Sequence, residues 1–276
     1  SFSLSTCLSP VLANPHLTQN HHSIMSNNNQ APTQPLSSSS HPLTSSQLSV
    51  NTKTPPKMDA ENPPSSPSYS VLYNPTQLKT AYKIADIVTP SNKPGLGIKV
   101  AIIIAYTYPN LQNDCNRFCT QFGLPQLTSA NFSKITLGTQ RNSGWALEEC
   151  LDVQMVHSIA PYATILVVEA RSASLGDLNA AITAANNAGA DIISMSYGAR
   201  EFSSENTYGS VFTRANTCYV ASSGDTAAVV EFPSCHPSVL SVGGTTLTLD
   251  VNGNRASETS WNGGGCGYSQ YISKPQ

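Results

Sequence analysis

The stretch Lys99–Ala105 (KVAIIIA) limits the possible folds more than any other part of this 276-residue chain. After the lysine every position is apolar, and three consecutive residues are isoleucine. A strand with one wet face alternates apolar and polar residues, whereas a continuous β-branched run is covered on both faces. Helices must supply that cover, through right-handed crossovers between parallel strands. The remaining pattern agrees. Residues 164–169 (TILVVE), 191–196 (DIISMS), 218–221 and 239–242 read as further strands. Residues 74–82, 111–122, 143–160, 175–188 and 203–216 read as helices, with Gly123 and Gly189 as stop signals. The predicted fold is α/β: a mainly parallel sheet between helical layers, with its ligand site at the carboxyl ends of the strands.

Residues 1–68 are of another kind. They are rich in Ser, Pro, Asn, Gln and Thr, almost without aromatic residues, and cannot bury enough apolar surface to offset the entropy of ordering. The expected organisation is therefore a disordered, low-complexity segment over 1–68 and one folded domain over 69–276. His16, His21 and His22 fall in the polar tract and read as accidental. Ser1–Ala13 has the character of a signal-peptide tail without its basic start. Together with a charged fraction of only 11%, this leans toward a secreted, extracellular protein. The chain opens on Ser rather than Met, and is expected to be a fragment at both ends.

Several functions are excluded or unsupported. The net charge is −2, with no basic run and no basic-aromatic interleaving, so no nucleic-acid partner is expected. No apolar stretch approaches the roughly 20 residues that span a bilayer. Gly95-x-Gly97 precedes its strand instead of following it, and no phosphate-binding loop occurs, which removes a nucleotide-binding reading. Cys115 and Cys119 have no second pair to complete a zinc site, and no metal site is expected. Of the seven cysteines, Cys150 and Cys218 read as small buried apolar residues. One or two disulfides would fit an oxidising compartment, with pairing undetermined.

The stretch Gly144–Pro161 carries the candidate chemistry. It reads as one helix, opened by Ser143-Gly144 and ended before Pro161. At about 100° per residue, Glu148 and Asp152 fall on the arc of Trp145, Met155, Val156 and Ile159. Like charges four apart destabilise a helix by roughly 0.2–0.5 kcal/mol even in water. Burial makes the charged forms costlier and raises at least one pKa, which is how a fold turns a carboxylate into a proton-transfer group. The competing reading is a helix whose carboxylates reach water at the rim of the stripe. Glu149 points about 100° away and is the poorer candidate, and His157 lies off the carboxylate arc.

Four ordered segments resemble the sedolisin family of serine-carboxyl peptidases, relatives of the subtilisins. They are Trp145…Glu148-x-x-Leu151-Asp152; Ile193–Gly198 (ISMSYG); Ala221–Asp225 (ASSGD); and Phe232-Pro233…Pro237–Thr246, followed by Glu258…Trp261…Gly263-Gly264-Gly265. The resemblance covers roughly residues 70 to 276. It implies a subtilisin-like fold, incomplete at the C-terminus, and a serine-type endopeptidase that hydrolyses polypeptides at acid pH. Glu148 would be the general base, Asp152 its partner, and Asp225 the protonated oxyanion donor. Ser196, Tyr197, Gly198, Ser223 and Gly224 would line the substrate cleft.

The resemblance also implies parts not found before Gln276. The nucleophile is expected in a Gly-Thr-Ser segment, and Gly243-Gly244-Thr245-Thr246 lacks the serine. A Ca2+ site is expected beyond residue 276, and residues 1–68 do not resemble the family's folded prodomain. The 276 residues alone are therefore expected to be inactive, and monomeric. The alternative reading is a non-catalytic peptidase-like domain that binds peptides. Three retained carboxylates favour the enzyme.

Overall fold

A computed structural model describes residues 73–86 and 93–273. The low-complexity segment over 1–68, its histidines, the signal-like residues 1–13 and Cys7 lie outside the described residues.

Six parallel strands form the main sheet: β1 (Lys99–Ala105), β2 (Phe132–Thr136), β3 (Thr164–Ala170), β4 (Ile192–Met195), β6 (Cys218–Ser222) and β8 (Val239–Val242). Their order is β2-β3-β1-β4-β6-β8. Strand β1 sits between β3 and β4, as its uninterrupted apolar run requires. Every residue of β1 after Lys99 is buried, and β3 shows the same pattern. Each isoleucine of β1 contributes about 1.5–3 kcal/mol through burial.

The described residues form four α-helices: α1 (Pro75–Ala81), α2 (Leu111–Phe122), α3 (Ser143–Ile159) and α4 (Leu175–Asn187). Helix α3 packs on β1 and against α2, while α4 packs on β3 and β1. Asn74 and Gln77 cap α1 reciprocally, each side chain accepting from the other's backbone N–H. Helix α4 ends at Ala188. The N–H of Gly189 bonds to Asn186 and that of Ala190 to Ala185, a closure that needs Gly189 at φ 77°. A second, smaller core joins α1 to α3 through Leu78, Ala81, Leu151 and Met155. It includes Leu247 and Tyr73, whose hydroxyl donates to the Leu247 carbonyl at 2.9 Å.

The structure corrects the sequence reading at several points. Residues 203–216 are not an α-helix, and only a 3₁₀ segment forms, at Glu205–Val211. The side-chain amides of Asn179 and Asn186, both on α4, occupy the Tyr208 and Val211 carbonyls, which a continuing helix would have used itself. Helix α3 is capped by Asn142, whose side chain accepts from Trp145 N–H at 3.1 Å, one residue before the expected opening. Strand β2 was not anticipated, because it is a short edge strand carrying Ser, Lys and Thr. Two antiparallel pairs were also missed: β5 (Ala199–Arg200) with β7 (Glu231–Phe232), and β9 (Thr245–Leu249) with β10 (Arg255–Ser260). Cys218 is exposed rather than buried, and the six described cysteines are all free thiols.

Truncating the centre of β1 tests this core. Ile103→Ala should lower stability by about 2–5 kcal/mol in urea denaturation followed by circular dichroism. A loss below about 1 kcal/mol would contradict burial of β1 on both faces.

Candidate active site

Helix α3 is not the one-sided amphipathic helix read from its spacing. It is buried nearly all round, including Trp145, Glu149, Cys150, Leu151, Asp152, Val153, Met155 and His157. Position along the chain, rather than one apolar stripe, therefore decides which carboxyl meets which partner.

Asp152 is fully buried. The Ser196 hydroxyl, just past the end of β4, donates to its Oδ1 at 2.8 Å, while Oδ2 has no partner among the described residues. Burial raises the Asp152 pKa to about 7, against the opposing pull of the Ser196 hydrogen bond. One turn earlier, Glu148 also holds an oxygen that is buried and unpartnered. Burial, then the charge of Asp152, then that of Asp225 push the Glu148 carboxyl well above its usual range. Asp225 stands three residues beyond β6, so the carboxyl groups of Asp152 and Asp225 both come within electrostatic reach of Glu148.

The segments at the carboxyl ends of β4 and β6 flank these groups. Ser223 continues the β6–β8 ladder through its N–H to Val242, at 2.8 Å, and its buried hydroxyl has no partner among the described residues. Gly224 accepts from Gly265 N–H at 3.0 Å. The Tyr197 ring lies 6.5 Å from that of Trp145, and its buried hydroxyl is likewise unpartnered. Gly198 is buried at the start of the β5 turn.

Glu149 faces another environment. It is 1% exposed, and Lys134 on β2 approaches its Oε1 at 3.8 Å. Lys134 also forms a close ion pair with Glu169 on β3. Glu169 accepts in addition from the Thr136 hydroxyl, from Tyr108 N–H at 2.8 Å and from the Thr107 hydroxyl at 3.0 Å. Burial alone would raise Glu169, but these donors outweigh it and hold the carboxyl below its usual range. Burial and the Glu169 charge raise Glu149 to about 9, with Lys134 opposing. One lysine thus serves one ionised and one protonated carboxyl. The sequence reading missed Lys134 and Glu169 because their strand partnership depends on β2.

His157 donates through its Nε2 to the Pro125 carbonyl at 2.7 Å, and burial lowers its pKa. Among the described residues, Glu201, Glu205 and Cys235 form a group of the size that holds a metal ion. A thiol in the set does not suit a hard cation such as Ca2+, and Glu205 and Glu201 are already engaged by Phe202 N–H and the Ser269 hydroxyl. No helix of the described residues is long and apolar enough to cross a membrane.

This parallel sheet, with carboxyl groups gathered at its strand ends, is that of the subtilases: the profile of the subtilase family matches residues 38–265, and the chain belongs to that family. Its structure is similar to that of a Pseudomonas sedolisin (serine-carboxyl proteinase) complexed with two molecules of pseudo-iodotyrostatin. The two are 25% identical with a TM-score of 0.63, over 74% of this chain and 64% of that one. This chain therefore spans just under two thirds of the sedolisin. The prenylagaramide maturation protease PagA is 18% identical, with a TM-score of 0.45 over 69% of this chain and 63% of its own. No curated protein matches the chain by sequence.

Two measurements test these electrostatics. Asp152 and Glu149 bind protons more tightly folded than unfolded, so the stability they confer is complete at low pH and is lost as pH rises. For Asp152 the window runs from about 4 to about 7, and Glu149 extends it to about 9. Glu169 acts oppositely, but only as pH falls below the usual carboxylate range. The melting temperature of the unaltered protein should therefore fall relative to that of Asp152→Asn between pH 4 and pH 7, while the buried histidines His157 and His236 act in the opposite sense in both proteins. A slope unchanged in the variant would remove Asp152 as a source of the pH dependence. Separately, Lys134→Met should destabilise by about 3 kcal/mol by leaving buried carboxyls unbalanced, and adding Glu169→Gln should restore part of that loss.

Proposed function

We propose that this chain carries the acid–base machinery of a serine-carboxyl endopeptidase that hydrolyses polypeptides at acid pH. The observation behind this reading is the gathering of Glu148, Asp152 and Asp225 at the strand ends, with a Glu148 oxygen buried and unpartnered. A buried carboxylate lacking a hydrogen bond is a strong acceptor, suited to take a proton from a serine hydroxyl during attack on a carbonyl.

In this reading Glu148 is the general base. Asp152, fixed by Ser196, orients it and carries part of the shared charge. Three carboxyl groups so close cannot all ionise cheaply, so at acid pH at least one remains protonated. In this reading Asp225 is the group that hydrogen-bonds the oxyanion formed on the substrate carbonyl. Ser196, Tyr197, Gly198, Ser223 and Gly224 line the cleft for the peptide backbone. The attacking serine and the Ca2+ ion implied by the resemblance are assigned to no residue of this chain, and secretion is the setting in which an acid-acting enzyme of this kind would work.

The test is a peptidase assay on the expressed protein. Glu148→Gln should reduce kcat by orders of magnitude without changing the melting temperature at low pH. Asp225→Ala should cost about 10²–10³ in rate. Near-normal activity in Glu148→Gln would remove Glu148 from the mechanism, and a rate optimum above neutral pH would overturn the carboxyl-base reading.

A further inference from the structure

A fourth carboxyl group enters the same cleft. Glu231 opens β7, which pairs antiparallel with β5, so its side chain lies between the two glycine-bearing segments flanking the catalytic candidates. The fit is close. A Cβ added at Gly198 would come within 2.3 Å of Glu231 Oε2, and one added at Gly224 within 2.5 Å of its Cδ. Only the absence of side chains at these two positions leaves room for the carboxylate.

Glu231 is nevertheless without a partner. Among the described residues, neither of its oxygens accepts a hydrogen bond, and no basic side chain lies within ion-pair distance. Arg200, its neighbour in the β5–β7 ladder, acts on it only at longer range. Burial and the charge of Asp225 push its pKa upward, with Arg200 opposing. A half-buried carboxylate in this condition offers a cation from outside a charge-assisted hydrogen bond. The unpartnered, buried Ser223 hydroxyl beside Gly224 adds a second polar group awaiting a ligand.

The geometry points to Glu231 as a specificity-determining residue that receives a basic side chain, arginine or lysine, from the bound peptide. This rests on the peptidase reading of the cleft. Since Asp225 takes the oxyanion and Glu231 touches the adjoining Gly224, the basic residue is the one whose carbonyl is attacked. Its charge would give Glu231 the counter-ion that the cleft itself does not supply.

The test compares two fluorescent peptide amides, one ending in arginine and the other in citrulline, its neutral isostere. Their Kd values for this chain are measured by anisotropy near neutral pH. Arginine should bind at least roughly tenfold tighter, the effect of one charge-assisted pair. Glu231→Gln should abolish that preference while leaving the citrulline Kd in place. Glu231→Lys should reverse it, favouring a peptide that ends in glutamate. Equal binding of both peptides by the unaltered protein overturns the assignment of Glu231 and leaves the cleft reading standing. Binding of neither peptide overturns the cleft reading, and the Glu231 assignment with it.

Discussion

Desolvation of α3 governs this molecule. The helix is pressed between β1, α2 and α1, so its carboxyl groups lose water on every side. In solution Glu148, Glu149 and Asp152 would ionise at ordinary values and repel one another weakly. Here each must find a donor or keep its proton. Asp152 finds one donor for two oxygens, Glu149 shares a lysine with a rival, and Glu148 leaves an oxygen bare. All three carboxyls become weaker acids than in water, within one and a half turns of helix. A site built this way needs no unusual chemical group, only a gradient of hydration imposed by the fold.

The sheet determines where that gradient falls. Parallel strands direct their carboxyl ends to the same side, and the segments after β4 and β6 arrive there with Ser196 and Asp225. The registers of β1 with β4 and of β4 with β6 therefore fix how α3's carboxylates meet the two loops. An alternative pairing would keep the hydrophobic core yet scatter the polar groups.

Much of this was legible in the sequence because the signals were local. The KVAIIIA run announced a strand covered on both faces, and the Glu148/Asp152 spacing placed both groups on one side of a helix. The ASSGD segment stood out only through its resemblance to a family, since alone it is good turn chemistry. What escaped were features defined by distant partners. Strand β2 exists by pairing with β3, and its Lys134 matters because of Glu149 and Glu169. The 203–216 stretch has helical spacing but loses its carbonyls to Asn179 and Asn186. Glu231 carries no motif. Its interest comes from two glycines, 33 and 7 residues before it in the chain, whose missing side chains make its pocket.

Helix α1 has a role out of proportion to its seven residues. Leu78 and Ala81 seal the flank of α3 at Leu151 and Met155, beside Asp152, and Tyr73 fastens the same region to β9. The segment is thus an insulating plug: its apolar side chains cover the flank of α3 and help to set the dielectric in which the carboxyls titrate. Loosening this plug would admit water along α3 and let the carboxyls drift back toward their solution acidities. The acidity of the site is therefore open to adjustment from a stretch of chain about 70 residues upstream in sequence, with no change to any group that titrates.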